Sequence, residues 1–437
     1  DPTGQRLSLY RFQHNLFQWY LYNGLDEAER AYLHEDVGKS LEALYGDQVD
    51  EVVVQLARHF KEAGLSEKAR HYLTEAGKQA ANRFAHDEAI RYFNRALELT
   101  PDHNKEGKYD LLLLREQINH IQGERELQAK DLKTLQKLID FKFDNQKKAK
   151  LALRRAAFSN ATSDWLTAIE AAQEAVHLAE ITEDIRIQAI GHFQIGNALW
   201  YQGEYEKASN KLEKGLTLSQ AAGLRLVESN CLRNLGTIKS ITGDYDHAIE
   251  YNMNSLHICR EIGDRRGESK SLNNLGVVYY EQGNYAKTRE IFEQVIPIFR
   301  ETGERGVEGI LLGNLGVIAS RQGDYLAAKD YYEQSRLISH LIGRRQGEAI
   351  DLGNLADVYA SMGDYDEALD YFEKGLLLAR EIGSKDIEIY TLNGLSSALI
   401  AKGFYSNAIM NCKIALNIAQ DIGIQQEEAI AFGLIGV

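Results

Sequence analysis

The sequence predicts an all-α fold, a solenoid of stacked helical hairpins, and three observations predict it. One glycine recurs every forty residues at Gly203, Gly243, Gly283, Gly323, Gly363 and Gly403. A second series, Gly223, Gly263, Gly303, Gly343, Gly383 and Gly423, runs twenty residues out of phase with it. An aromatic follows the first series two residues later, from Tyr205 to Tyr405, and a small residue recurs from Ala168 through Ala208, Ala248, Thr288, Ala328 and Ala368 to Ala408. No gap is needed to align these columns, and a strict period of this size marks repeats that bury their apolar faces on one another.

Each repeat divides into two apolar-periodic segments. Leu272, Leu275, Val278 and Tyr279 fall at helical spacing, as do Tyr285, Ile291, Val295 and Ile298. Gly283 and Gly303 should close these helices in the left-handed conformation. Asp244, Asn284, Asp324 and Asp364 follow as N-caps, and Asp364 with Glu367 has the spacing of a capping box. Gly276, Gly316 and Ala356 sit inside first helices, where glycine costs about 1 kcal/mol against alanine. Close approach of a partner helix is the expected compensation. Pro297 should bend its helix.

Leu275-Gly276-x-x-Tyr279, Gly363-x-Tyr365-x-x-Ala368 and Tyr371 to Leu376 together resemble the tetratricopeptide repeat. The Asn-Leu-Gly opening and the Gly263 to Glu268 link resemble its long, forty-residue variant, found in kinesin light chains, spindle-orientation adaptors and bacterial regulators. The resemblance covers about Glu106 to the end and implies a right-handed solenoid whose first helices line a concave groove. Tyr10 to His14, Leu21-Tyr22, Glu29-Arg30 and Leu33-His34 are similar to the segment that follows the winged helix in bacterial signal-transduction ATPases with numerous domains.

Three regions are expected. Residues 1–50 end a preceding module and form a helical linker, with a short strand at Leu7–Phe12 and helices at His14–Asn23 and Leu25–Leu44. Residues 51–105 form irregular helical hairpins. Residues 106–437 are repeats, degenerate at first, with Gly123 and Ser163 in the glycine column and the regular register starting at Trp165 and Ala168. The last repeat is expected to be incomplete, leaving Ile430, Phe432, Leu434 and Ile435 on an open end available for self-association. That, and Asp1 in place of a methionine, predicts a piece of a longer protein.

Net charge is −14, which argues against a nucleic-acid or anionic-membrane partner. Cys231, Cys259 and Cys412 form no metal or redox pattern and are expected as reduced thiols, as in a cytoplasmic protein. No catalytic, metal or cofactor constellation is present. Val37-Gly38-Lys39-Ser40 lacks the glycine and the strand of a phosphate-binding loop.

Two polar ladders remain. Arg225/Glu228, Arg265/Glu268, Arg305/Glu308, Arg345/Glu348 and Lys385/Glu388 are expected as structural ion pairs at helix starts. Asn234, Asn274, Asn314 and Asn354 lie beside the apolar stripe. By the resemblance they face the groove, where an amide column can pair with an extended peptide. Asn230, Arg233, Lys270, Asn273 and Asn393 add donors, and Asp357 one negative site. The alternative for the asparagines is bonding between neighbouring helices.

The function these features point to is a non-catalytic module that binds a protein or peptide, as the C-terminal sensor of a cytoplasmic bacterial signalling ATPase. The alternatives are a eukaryotic-type cargo or polarity adaptor, a scaffold for an enzyme domain outside this chain, and a module with a small-molecule ligand in the groove.

Overall fold

The computed structural model describes residues 15–139, 144–422 and 425–436. Among these every regular element is helical. The strand expected at Leu7–Phe12 and the glycine Gly423 lie outside the described residues. The chain divides into two compact units, Asp1–Ala222 and Gly223–Val437.

The first unit holds α1 (Asn15–Gly24), α2 (Glu27–Tyr45), a short 3-10 turn at Gly46–Glu51, α3 (Val53–Glu62), α4 (Ser66–Asn82) and α5 (His86–Glu98). It continues with α6 (Lys105–Gln122), α7 (Arg125–Ile139), α8 (Asn145–Ala161), α9 (Trp165–Ile181), α10 (Ile185–Tyr201) and α11 (Tyr205–Ala221). The second unit runs through α12 (Arg225–Ile241), α13 (Tyr245–Ile262), α14 (Arg265–Glu281), α15 (Tyr285–Glu301), α16 (Arg305–Arg321) and α17 (Tyr325–Leu341). It ends with α18 (Arg345–Ser361), α19 (Tyr365–Glu381), α20 (Lys385–Ala401), α21 (Tyr405–Ile422) and α22 (Gln425–Ile435).

The glycine columns close these helices as expected. Gly203 to Gly403 in one column and Gly223 to Gly383 in the other all take positive φ, between 66° and 85°. In the degenerate repeats Phe84, Ser163 and Glu183 occupy the same kind of junction at φ 60°, 61° and 54°. A side chain pays for that conformation where glycine does not, about 1–2 kcal/mol per residue.

Close approach explains the glycines inside first helices. A Cβ on Gly276 would stand 2.3 Å from the Phe292 ring, and one on Gly316 would stand 2.6 Å from the Tyr332 ring. Ala356 occupies the same column, and there the pattern shifts. The ring of Phe372 lies over Gly394 of the next first helix, 2.4 Å from where a Cβ would be. Gly394 is also where the asparagine column stops.

Two expected details fail. Asp364 makes no capping hydrogen bond. Its carboxyl faces that of Glu367. The hydrogen bond with Asp364 raises the Glu367 pKa above its usual range. Asp244 also leaves its helix uncapped, because Lys239 and His247 hold its carboxylate at 3.1 and 2.8 Å. Asn284 and Asp324 do cap, accepting from the backbone of Lys287 and Ala327 at 3.3 and 3.2 Å. Helix α15 continues through Pro297 to Glu301 as one element. Gly38 is buried in α2, with the Phe60 ring 2.8 Å from a built Cβ, so Gly38 is a helix-packing contact.

The cores differ between the units. The degenerate stretch of the first unit buries charge: Glu116 is fully inaccessible and accepts from Arg154 at 2.6 Å and from Gln128 at 2.7 Å. Asp131 accepts from Arg115 at 3.0 and 2.5 Å and from Asn119 at 3.1 Å. Nearby His120 is pushed down to about 4 by burial and by Arg154 and Arg125. In the second unit, Ser255 and Ser271 meet between helices at 2.9 Å. Two repeats later Ser335 meets Asp351 at 2.6 Å. Burial pushes the Asp351 carboxyl up to about 7.

Two predictions follow from these positions. Ser163→Gly and Glu183→Gly each relieve a left-handed side chain, and each should raise stability to urea by about 1 kcal/mol. Unchanged midpoints would show the junctions to be unstrained. Asp351 binds its proton more tightly folded than unfolded, so its contribution is complete below pH 4 and is lost as pH rises through 7. Asp351→Ser should therefore raise the melting temperature at pH 8, with the gain shrinking toward pH 4. A gain independent of pH would contradict the assignment.

Candidate functional site

Within the second unit the helices alternate in their packing. The first helices α12 and α14 touch each other, as do α16 and α18, and α18 and α20, while the second helices chiefly contact the first helices on either side. First helices thus stand side by side on the closely spaced face of the stack, and the candidate residues fall on them.

The ends of the helices are fixed by the arginine–glutamate ladder, which is larger than the sequence alone suggests. Glu268 is buried and accepts from Arg265 at 2.6 Å and from Arg260 of the preceding helix at 2.8 Å. Arg265 also reaches Glu301 at 2.8 Å. The motif repeats at Glu308 with Arg305 and Arg300, at 2.6 and 2.8 Å, and at Glu388 with Lys385 and Arg380, at 2.7 and 2.8 Å. Glu348 has His340 at 3.0 Å where Glu268, Glu308 and Glu388 have arginine. Burial pushes the carboxyls of Glu268 and Glu388 upward. Their two basic partners outweigh it and hold both below the usual carboxylate range. These pairs are framework, and they bring each first helix to the same height as its neighbours.

With that frame set, the wall can be followed along the stack. Arg233 is half-buried and donates to Asn230 through Nη2. Its Nη1 is shielded from solvent and has no protein hydrogen-bond partner. Burial lowers the Arg233 pKa. Lys270 keeps accessible surface, yet the surrounding protein lowers its pKa, helped by Arg233 and Arg266. Asn274 donates to Thr237 of the neighbouring first helix at 3.0 Å, the helix-to-helix bond that was the alternative for this column. Asn234, Asn273 and Asn354 are half-buried, Asn314 is exposed, and Asn393 is buried at 6% exposure. Asn393 is therefore within the packing and does not present a surface to a ligand.

Tyr390 was not singled out by the sequence. Its hydroxyl donates to Asp357 and lies 3.4 Å from Asn354. Its ring covers Gly353, 2.8 Å from where a Cβ would be. Asp357 is exposed, but protein on both sides raises its pKa against the opposing bond from Tyr390. The wall is thus basic toward Arg233 and Lys270 and acidic at Asp357. The one signal for Tyr390 was an aromatic beside Gly353 and Asp357 one repeat away, which spacing alone does not distinguish from core.

Among the described residues no group of three or more histidine, cysteine or acidic side chains could hold a metal ion. None of the described helices is long and apolar enough to cross a membrane. The three cysteines are buried free thiols, and burial pushes that of Cys231 up to about 12.

Residues 227–301 and 307–381 match the tetratricopeptide repeat family model, and the chain carries these repeats. No curated protein matches. The fold is similar to that of a signal-transduction ATPase with numerous domains and a tetratricopeptide repeat sensor from Pyrococcus horikoshii. That similarity has a TM-score of 0.69 at 13% identity, over 97% of this chain and 68% of the other. The apo form of the quorum sensor NprR from B. thuringiensis matches with a TM-score of 0.50 at 15% identity, over 76% of this chain and 98% of the other.

Proposed function

We propose that this chain is a non-catalytic recognition module whose first-helix wall in the second unit binds an extended peptide segment. A carboxylate of the ligand is held at Arg233 and Lys270, and the ligand runs past Asn314 toward Asp357. The observation that carries the reading is Arg233: a shielded guanidinium nitrogen without a partner, beside a second cation whose charge it disfavours. Leaving a buried donor unpaired costs about 1–3 kcal/mol, and a bound carboxylate removes that cost. Both Arg233 and Lys270 gain when an anion arrives.

The module serves as the ligand-sensing array of a larger signalling ATPase. The N-terminal motif from Tyr10 to His34 and the fold shared with a repeat sensor of that ATPase class support this placement. Ligand held across several first helices would stiffen their spacing and so bias a switch elsewhere in the protein.

The test is a fluorescence-polarisation screen of acidic peptides against the chain. Arg233→Ala with Lys270→Ala should weaken the selected peptide at least tenfold and flatten its salt dependence. Asn314→Ala should weaken it by about 0.5–1.5 kcal/mol with an unchanged melting temperature. Asn274→Ala should instead lower the melting temperature, because it breaks the bond to Thr237. Peptide binding that ignores the Arg233/Lys270 change would overturn the reading.

A further inference from the structure

The first unit contains a solvent-open cavity of about 940 Å³ between α9, α10 and α11. Its apolar side is formed by Ile169, Ile195, Leu199 and Leu218, and its other side carries Lys207, Lys211 and Lys214 with a single carboxylate, Glu213. Lys207 is partly neutralised by Glu204 at 3.0 Å, which leaves Lys211 and Lys214 as the dominant charges. A local excess of positive charge is notable on a chain of net charge −14.

The cavity exists because this repeat departs from the others in the columns that fill the same space. His192 stands where Leu232, Leu272, Leu312, Leu352 and Leu392 stand in the next five repeats, and all five leucines are buried. Lys211 stands where Tyr251, Ile291, Tyr331 and Tyr371 stand. Two of the later residues show what is missing: Tyr359, in the column of Leu199, stacks on Tyr371 with ring centroids 5.2 Å apart. That ring pair belongs to one later repeat, and Leu199 and Lys211 stand in its place here.

His192 adds a polar group at the edge of the apolar side. Its Nδ1 is shielded from solvent and has no hydrogen-bond partner. Burial, reinforced by Lys211 and Lys214, lowers its pKa below the ordinary imidazole value. Two dominant lysines, the His192 side chain and an apolar floor converge on one volume.

We propose that this cavity is a second binding site, separate from the first-helix wall, for a small organic anion with an apolar body. The anionic head meets Lys211, Lys214 and His192, and the apolar body lies on Ile169, Ile195, Leu199 and Leu218. The head is a carboxylate or a phosphate, since both satisfy lysine donors, and the volume suits a body of drug-like or shorter size.

The probe is 8-anilinonaphthalene-1-sulfonate, titrated into the intact chain and displaced by octanoate, octyl phosphate or octanol. Octanoate and octyl phosphate compete, the tighter one identifying the head group, while octanol competes at least tenfold more weakly. His192→Leu with Lys211→Tyr restores the columns of the other repeats, and it should abolish the displaceable site while keeping or raising the melting temperature. Lys211→Gln with Lys214→Gln keeps the volume, and it should weaken octanoate at least tenfold. Octanol competing as well as octanoate, or undiminished octanoate binding in both variants, would overturn the proposal.

Discussion

Every regular feature of the repeats depends on where the backbone is allowed to reverse. A left-handed residue every twenty positions ends each helix after about the same number of residues, so equivalent side chains return at equivalent heights. The ion-pair ladder is possible because of that. Arg260, Glu268, Arg265 and Glu301 come from three successive helices, and they meet because those helices end on a common level. Where the left-handed position falls on Ser163 or Glu183, the ladder is absent. The core there relies on buried pairs such as Glu116 with Arg154.

Uniform heights make departures informative. His192 breaks a column of leucines, Lys211 stands where three later repeats have tyrosine, and both line a cavity. On the first helices of the second unit the departure is subtler. Arg233 keeps its place in the wall but leaves one nitrogen unsatisfied, and Tyr390 turns its hydroxyl toward Asp357. A polar group held at a packed surface without a partner is costly, as at Arg233 and His192.

The fold was legible because its determinants are local. Glycine spacing dictates helix ends, and the small residues Gly276 and Gly316 announce the rings of Phe292 and Tyr332 that lie over them. The site was legible only in part. Asn274 and Asn314 share a column, but neighbouring residues decide their roles: Thr237 engages the first, while the second is exposed. Asn393 shares the stripe but is buried. The capping box at Asp364 failed for a similar reason, because spacing cannot tell that the two carboxyls would meet each other. His192 was readable in principle, since it breaks a leucine column, but reading it requires comparing columns across repeats instead of searching for motifs within one.

The ladder also makes the array editable. Each glutamate takes one partner from the helix before it and one from its own first turn, and the same geometry recurs at Glu268, Glu308 and Glu388. Excising residues 265–304 as a block would deliver Arg260 to Glu308, with Arg305 already in place beside it. Inserting a copy of the block would extend the series by one step. These three joints are interchangeable parts, so a gene carrying such a series can lengthen or shorten the first-helix wall by whole units while keeping the ladder intact at the new junction.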